Sequence, residues 1–186
     1  MALTYSNLKS GIFQAPEFSL QGVDGQIYSL SNFASSKALL IVFMCNHCPY
    51  VKAVTGRINQ IAKDYAAKGV MVVGINSNDA DNYPEDSFDK MKEYSDRDGY
   101  VFPYLFDNEQ AVAKSYEAAC TPDPYLFKNE AGRFILAYQG RIDDNWQDET
   151  KVTRHSLRDA IESLLAGKPI ELNLKPSMGC NIKWKK

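Results

Sequence analysis

The sequence has no apolar run long enough to cross a membrane, and it has little excess charge of either sign. Its longest continuous apolar stretch is ALLIVFMC, residues 38–45, which has the length of a buried strand. The formal net charge of the 186 residues is −2, so no basic excess points to nucleic acid or to an anionic membrane. We therefore expect neither nucleic acid nor membrane as a partner.

Cysteine and histidine are scarce, with four and two residues respectively. The N-terminal segment lacks a basic stretch followed by an apolar one, which a secretory signal requires, so we expect a cytoplasmic location. Structural disulfides are rare in that compartment, where a CxxC motif more often binds a metal or performs redox chemistry. The chain carries one such motif, CNHC at residues 45–48. The sequence around it must show whether it binds a metal or performs redox chemistry.

Strand and helix patterns alternate along the chain, which predicts an α/β protein with a central mixed β-sheet flanked by helices. Alternating apolar residues on both sides of VDGQ predict an N-terminal β-hairpin over 18–30, and apolar runs predict buried strands at 37–44 and 70–76. A short strand near 100–107 and a second hairpin at 125–127 and 133–138 follow. Helices are predicted at 49–68, 84–97, 108–118 with Asn108 as its cap, and 151–166.

The length of the chain is typical of one domain with a core that needs no disulfide or metal to hold it together. No internal repeat and no low-complexity linker interrupts the pattern. We therefore predict a single domain over residues 1–186, with a core of about 15–167 and an irregular C-terminal tail over 168–186.

The CxxC motif falls between a predicted buried strand and a predicted helix. Cys45 is therefore expected at or just before the N-terminus of that helix, and Pro49 suits the first helical turn. The positive end of the helix dipole and its free N–H groups stabilise a thiolate, which is the nucleophilic form of cysteine. Because His47 adds positive charge when protonated, we predict that it tunes the thiol pKa. Cys48 follows within disulfide reach.

The order of these elements resembles the thioredoxin-like fold. The shared features are strand–CxxC–helix, a further strand and helix, a Thr-Pro pair at 121–122 before an edge hairpin, and a C-terminal helix. The segment APEFSLQGVDGQIYSL is similar to the Ala-Pro-x-Phe-x-Leu hairpin of the redoxin (AhpC/TSA-type) group, which also contains peroxiredoxins. The resemblance spans about residues 15–167 and implies a thiol–disulfide oxidoreductase, for which we expect no cofactor and no bound metal.

The resemblance implies roles for the motif and for the residues that face it. Cys45 would attack a disulfide, and Cys48 would resolve the mixed disulfide that forms. Pro122 matches the family's cis-proline, preceded by Thr121, which would offer its backbone to an extended substrate; Pro124 is a rival candidate for the cis position. The partners would be thiols and disulfides of proteins or small molecules.

Four accessory residues are expected near this site. Cys120 precedes the Thr-Pro pair, and Cys180 in the tail is able to reach back as a third thiol. Both are also compatible with a purely structural role as small buried side chains. Asp144 and Trp146 follow the edge hairpin in GRIDDNW and are candidates for substrate contact.

The sequence departs from the thioredoxin pattern in two respects. The strand before Cys45 holds no carboxylate, so the buried acid that relays protons in thioredoxin has no counterpart on it. Histidine directly before the second cysteine resembles the oxidase DsbA, and this implies a more oxidising disulfide than that of thioredoxin.

Two other functions stay open. One is a thiol peroxidase, although Ile41 and Cys45 occupy the positions at which the peroxiredoxin signature Pro-x-x-x-Thr-x-x-Cys has proline and threonine. The other is a non-catalytic binding module that uses the face around Thr121 and Pro122. In such a module the CxxC motif would be a redox-inert disulfide or part of a zinc knuckle.

Overall fold

The computed structural model describes residues 3–170 and 175–186. Its strands are β1 (Leu3–Tyr5), β2 (Ser19–Gly22), β3 (Ile27–Ser29), β4 (Ala38–Phe43), β5 (Val70–Asn76), β6 (Tyr104–Phe106), β7 (Cys120–Thr121), β8 (Asp123–Glu130), β9 (Arg133–Gln139) and β10 (Met178–Asn181). Its α-helices are α1 (Pro49–Ala66), α2 (Phe88–Asp98), α3 (Ala111–Tyr116) and α4 (Ser156–Leu165). Short 3-10 helices cover Leu30–Phe33, Pro84–Asp86 and Glu149–Lys151.

Seven strands form one mixed sheet in the order β3-β2-β6-β5-β4-β8-β9. Within it β4, β5 and β6 run parallel, whereas β2 and β3, β2 and β6, β4 and β8, and β8 and β9 pair antiparallel. The predicted mixed sheet and the predicted N-terminal hairpin, formed by β2 and β3, are thereby confirmed. The other three strands form a second sheet in the order β1-β10-β7.

Strand β4 is buried on both faces because successive side chains enter two different cores. Leu40 and Val42 belong to a core that also contains the apolar face of α1. Leu39 and Phe43 belong to the opposite core, which contains Tyr116 of α3. A strand covered on both faces reads as a continuous apolar run, and this is why β4 is recognisable in the sequence. The CxxC motif follows the end of this rigid strand.

Three predicted helices have different ends in the structure. The helix predicted at 84–97 becomes α-helical only at Phe88, after its cap residue Ser87. The helix predicted from Asn108 begins three residues later, because the carboxylate of Asp107 accepts backbone N–H groups of the first turn. The C-terminal helix begins at Ser156, and residues 149–151 form a 3-10 turn instead.

The C-terminal tail contains a strand, which corrects the prediction that residues 168–186 are irregular. β10 pairs antiparallel with both β1 and β7, so that Cys180 lies opposite Leu3 on one side and Thr121 on the other. A four-residue strand that contains glycine has too little alternation to be recognised in the sequence. Residues 1–2 and 171–174 of the predicted domain lie outside the described part, and the single-domain organisation stays a prediction.

Gly179 permits the pairing of β10 with β7, because a side chain would have no space there. A Cβ atom at this position would lie 1.9 Å from the carbonyl oxygen of Thr121. We expect Gly179→Ala to lower the free energy of unfolding by about 3 kcal/mol, measured by denaturant titration. Gly56→Ala is the matched control, since Gly56 is exposed on α1 with open space around it and the change should add about 0.5–1 kcal/mol. A Gly179→Ala protein as stable as the wild type would contradict this packing.

Candidate active site

The CxxC motif lies in the loop that joins the end of β4 to the start of α1, and both of its cysteines are buried. Cys45 is 1% exposed and Cys48 is 0% exposed. The motif faces the segment that joins β7 to β8, where the peptide bond between Thr121 and Pro122 is cis. The prediction that Pro122 is the cis-proline is confirmed, while the rival Pro124 lies within β8.

Cys45 is enclosed by groups that disfavour its ionisation. Its Sγ lies 3.2 Å from the Oγ1 atom of Thr121, and its thiol forms a hydrogen bond with Cys48. Burial raises the pKa of Cys45 well above its usual range, and the hydrogen bond to Cys48 and the charge of Asp86 raise it further. The hydroxyl of Thr121 opposes this shift without cancelling it. Cys45 therefore favours the thiol form in the reduced protein.

Cys48 is the cysteine at the helix N-terminus, since it is the residue that directly precedes α1. The hydrogen bond with Cys45 lowers the pKa of Cys48 to about 5 in spite of burial, and Cys180 and the backbone of Val51 lower it as well. In its thiol form Cys48 donates to the carbonyl oxygen of Thr121 at 3.3 Å. The negative charge of the reduced pair thus belongs to Cys48.

The expectation that the helix would lower the pKa of Cys45 is therefore wrong. α1 begins at Pro49, as the sequence predicted. Cys45 lies in the preceding loop, outside the first turn of the helix. A helix dipole acts mainly on groups within its first turn, and so it favours the Cys48 thiolate.

His47, the predicted pKa-tuning residue, contacts a buried carboxylate. Its Nδ1 atom lies 2.5 Å from Oδ2 of Asp86, and its ring stacks on Tyr83 with centroids 5.6 Å apart. Asp86 also accepts hydrogen bonds from the backbone N–H of Asn46 at 2.7 Å and from Nδ2 of Asn78 at 2.8 Å. Burial raises the pKa of Asp86, but these hydrogen bonds outweigh it and hold the pKa below its usual range. The carboxylate is ionised and fixes the CxxC loop.

Asp86 is the functional-site residue that sequence reasoning missed. β4 indeed holds no carboxylate. Asp86 instead reaches the CxxC loop from the turn before α2, and it lies 40 positions after Asn46 in the sequence. The signal in the sequence is the polar run NSNDADNYPEDS, which follows a buried strand and is too rich in carboxylates to single out one of them. Its charge is one reason why Cys45 favours the thiol form.

The two further cysteines are both buried, but only one of them contacts the motif. Cys180 Sγ lies 2.8 Å from Cys48 Sγ. Cys120 instead directs its sulfur to the carbonyl oxygen of Pro122 at 3.8 Å, and burial raises its pKa. Cys120 therefore has the environment of a buried cysteine that serves only in packing, whereas Cys180 belongs to the site.

Asp144 and Trp146, the predicted substrate contacts, line a shallow cleft that also includes Pro122, Val54 and Met178. Trp146 packs its ring on that of Tyr50, with centroids 4.1 Å apart. Asp144 is exposed and accepts hydrogen bonds from the backbone and hydroxyl of Thr153, which accounts for its position without a substrate. The cleft borders the cis-proline, while the roles of Asp144 and Trp146 in substrate contact stay predictions.

One group of metal-ligand types occurs near the motif within the described ranges. Cys45, His47 and Asp86 each offer one ligand atom, and these atoms lie within 4.8 Å of one another. The oxygens of Asp86 already accept hydrogen bonds from His47, Asn46 and Asn78, so the arrangement is accounted for without an ion. We derive no metal site from it, and the expected absence of a metal stays a prediction.

Among residues 3–170 and 175–186, no helix combines the length and apolar character that a membrane crossing requires. The cytoplasmic location expected from the sequence stays a prediction.

The mixed sheet, the CxxC motif between β4 and α1 and the cis-proline that faces it define a thioredoxin-like redox protein. Residues 13–144 match the AhpC/TSA family, and the chain belongs to this family. The redoxin resemblance read from the sequence is confirmed. At the family level the chemistry is that of a thiol–disulfide oxidoreductase or a peroxidase.

Individual proteins resemble the chain to different extents. A crystal structure of an uncharacterized conserved protein from Geobacillus kaustophilus is 46% identical, with a TM-score of 0.93 over 100% of this chain and 97% of that chain. The thiol-disulfide oxidoreductase ResA of Halalkalibacterium halodurans is 24% identical over 136 residues, which are 73% of this chain and 72% of that protein. The exposed lipoprotein thioredoxin of Streptococcus pneumoniae shares the fold, with 20% identity and a TM-score of 0.60 over 79% of this chain and 99% of that chain.

Proposed function

We propose that the protein is a thiol–disulfide oxidoreductase in which Cys45 and Cys48 alternate between dithiol and disulfide. The observation that carries the proposal is the geometry of the motif: both cysteines are buried, and both sulfurs contact Thr121, the residue before the cis-proline, at 3.2 Å and 3.3 Å. The partners in this proposal are disulfides and thiols of proteins or small molecules in the cytoplasm. No cofactor is needed, because two thiols supply both electrons.

Cys45 is the attacking residue in this proposal, and Cys48 first acts as its base. The Cys48 thiolate accepts the Cys45 proton through their hydrogen bond, and the Cys45 sulfur then attacks one sulfur of the substrate disulfide. The other substrate sulfur leaves and takes up the proton that Cys48 holds. Cys48, again a thiolate, attacks the Cys45 sulfur and releases the second substrate thiolate. The high pKa of Cys45 makes its thiolate the stronger nucleophile of the two once it forms.

The substrate would approach along the cis-proline. Thr121 contacts both sulfurs, through its hydroxyl to Cys45 and its carbonyl oxygen to Cys48, and the next residue, Pro122, lines the neighbouring cleft. The cleft that includes Pro122 and Trp146 offers apolar surface to the residues that flank a substrate cysteine. Because both cysteines are buried, we infer that this cleft widens when substrate binds.

A turnover assay tests this proposal. We expect the wild-type protein to accelerate the reduction of insulin disulfides by dithiothreitol, and Cys45→Ser to lower that acceleration by a factor on the order of 10², because the attacking sulfur is gone. Cys120→Ala is the matched control and should keep the wild-type rate, since the Cys120 sulfur does not contact the motif. A wild-type protein that does not accelerate the reaction would contradict the oxidoreductase.

A thiol peroxidase is the second candidate, and the low pKa of Cys48 favours it. A thiolate that precedes a proline at a helix N-terminus is suited to attack a peroxide oxygen. Consumption of hydrogen peroxide at a rate that survives Cys45→Ser but not Cys48→Ser would support this candidate over the oxidoreductase.

A further inference from the structure

The third thiol at the site, Cys180, is held against Cys48 by the fold. The two sulfurs are 2.8 Å apart, within about 1 Å of the length of a disulfide bond. Both residues are buried, and they lie 132 positions apart in the sequence. Local chain geometry therefore cannot account for their contact.

The strand that carries Cys180 is fixed on the cis-proline segment by contacts of two kinds. β10 pairs with β7 so that Cys180 lies opposite Thr121, and Gly179 leaves no space for a Cβ between the two strands. The hydroxyl of Ser177 donates to the carbonyl oxygen of Pro122 at 2.6 Å. The position of the third sulfur is therefore set by the same segment that faces Cys45 and Cys48.

Cys120 shows what a merely buried cysteine looks like in this fold. It lies on β7 opposite Asn181, the residue after Cys180, and is also fully buried, yet its sulfur contacts a carbonyl oxygen rather than another sulfur. Cys180 instead contacts Cys48 and helps to lower its pKa. Of the two, only Cys180 is placed for exchange.

We propose that Cys180 is a third redox-active cysteine, which takes over the disulfide from Cys45 and forms a Cys48–Cys180 bond. The inference rests on the proposed function, which supplies the Cys45–Cys48 disulfide. The Cys180 sulfur attacks the Cys48 sulfur, the bond between Cys45 and Cys48 breaks, and the Cys180 proton passes to the departing Cys45 sulfur. The exchange is internal, so no electrons are gained or lost and no further reagent is needed.

This exchange has a chemical consequence for the cycle. Cys45 returns to the thiol form while the two oxidising equivalents stay in the protein as the Cys48–Cys180 disulfide. That bond would link the residue before α1 covalently to β10, the strand in the C-terminal tail. A reducing partner would regenerate the dithiol by the reverse exchange, in which Cys45 attacks Cys48 again.

The test uses the Cys45→Ser variant, in which Cys48 cannot form a disulfide with residue 45. The full-length variant is oxidised with glutathione disulfide, its free thiols are alkylated, and the disulfide-linked peptides are identified by mass spectrometry. We expect an intramolecular Cys48–Cys180 disulfide, with a mass loss of two hydrogens in most molecules. The same disulfide should form in Cys45→Ser/Cys120→Ala and be absent from Cys45→Ser/Cys180→Ser, which is the matched control.

The outcomes separate the inference from the function on which it rests. If Cys45→Ser carries only glutathione at Cys48 while the wild type forms Cys45–Cys48, the third-cysteine inference is overturned and the oxidoreductase stands. If the wild type forms neither a Cys45–Cys48 nor a Cys48–Cys180 disulfide, the proposed function fails and the inference fails with it. Should Cys45→Ser not fold, the same peptide analysis of partly oxidised wild type decides, since the inference requires the Cys48–Cys180 peptide there too.

Discussion

Cys48→Ser is expected to remove the thiolate that the reduced protein holds at neutral pH, and to lower disulfide turnover by a factor on the order of 10³. The hydrogen bond from Cys45, together with Cys180 and the backbone at the start of α1, lowers the pKa of Cys48 to about 5. Burial keeps the pKa values of Cys45, Cys120 and Cys180 above their usual range. The ultraviolet absorbance of thiolate against pH should therefore show one transition near pH 5 in the wild type and none there in the variant.

Cys120→Ala is the control for this titration, because it removes a buried thiol without touching the motif. It should keep both the transition near pH 5 and the turnover rate. Persistence of that transition in Cys48→Ser would place the charge on another sulfur and contradict our description of the reduced site.

Asp123→Asn is expected to make the protein more stable above pH 7 and to flatten the dependence of its stability on pH. Asp123 follows the cis-proline and is fully buried. Burial raises the pKa of its carboxyl to about 7, although the hydrogen bond that it accepts from Tyr125 lowers the pKa in part. In the unfolded chain the carboxyl has a pKa of about 4. Between these values unfolding releases a proton, so stability falls as the pH rises from about 4 to about 7, by at most about 4 kcal/mol.

Denaturant titrations of the reduced protein at pH 4 and pH 8 measure this effect. The asparagine variant carries no such proton, so its advantage over the wild type should be present at pH 8 and absent at pH 4. Asp96→Asn makes the same change in net charge on the exposed surface of α2 and should leave the pH profile close to that of the wild type. Parallel profiles for Asp123→Asn and the wild type would refute the raised pKa.

The parts of this molecule that could be predicted from its sequence are those encoded by neighbouring residues. The apolar run of β4 and the spacing of apolar residues in α1 each depend on one continuous segment, and the order of elements placed Pro122 correctly beside the motif. The start of α1 at Pro49 was also predicted correctly, and the error about the thiolate arose from assigning the helix N-terminus to Cys45. Cys48 is the residue that directly precedes Pro49, so the helix favours the charge on Cys48 instead.

The parts that could not be predicted depend on contacts between distant segments. Asp86 reaches the CxxC loop from the turn before α2, and Cys180 reaches Cys48 from a strand in the tail. Neither segment has a periodic pattern, and each brings one polar or sulfur atom to a site whose other members are far away in the chain. For Cys180 the sequence left both readings open, and the strand pairing through Gly179 decided its position.

The measurement that tests the central claim most directly is a redox titration of the wild-type protein against glutathione, with each cysteine quantified by mass spectrometry after alkylation. Our account predicts a reversible two-electron transition in which Cys45 and Cys48 become oxidised to a disulfide and return to thiols when the buffer is made reducing again. Cysteines 45 and 48 that stay reduced across the whole range of glutathione ratios, or that oxidise without recovery, would contradict it.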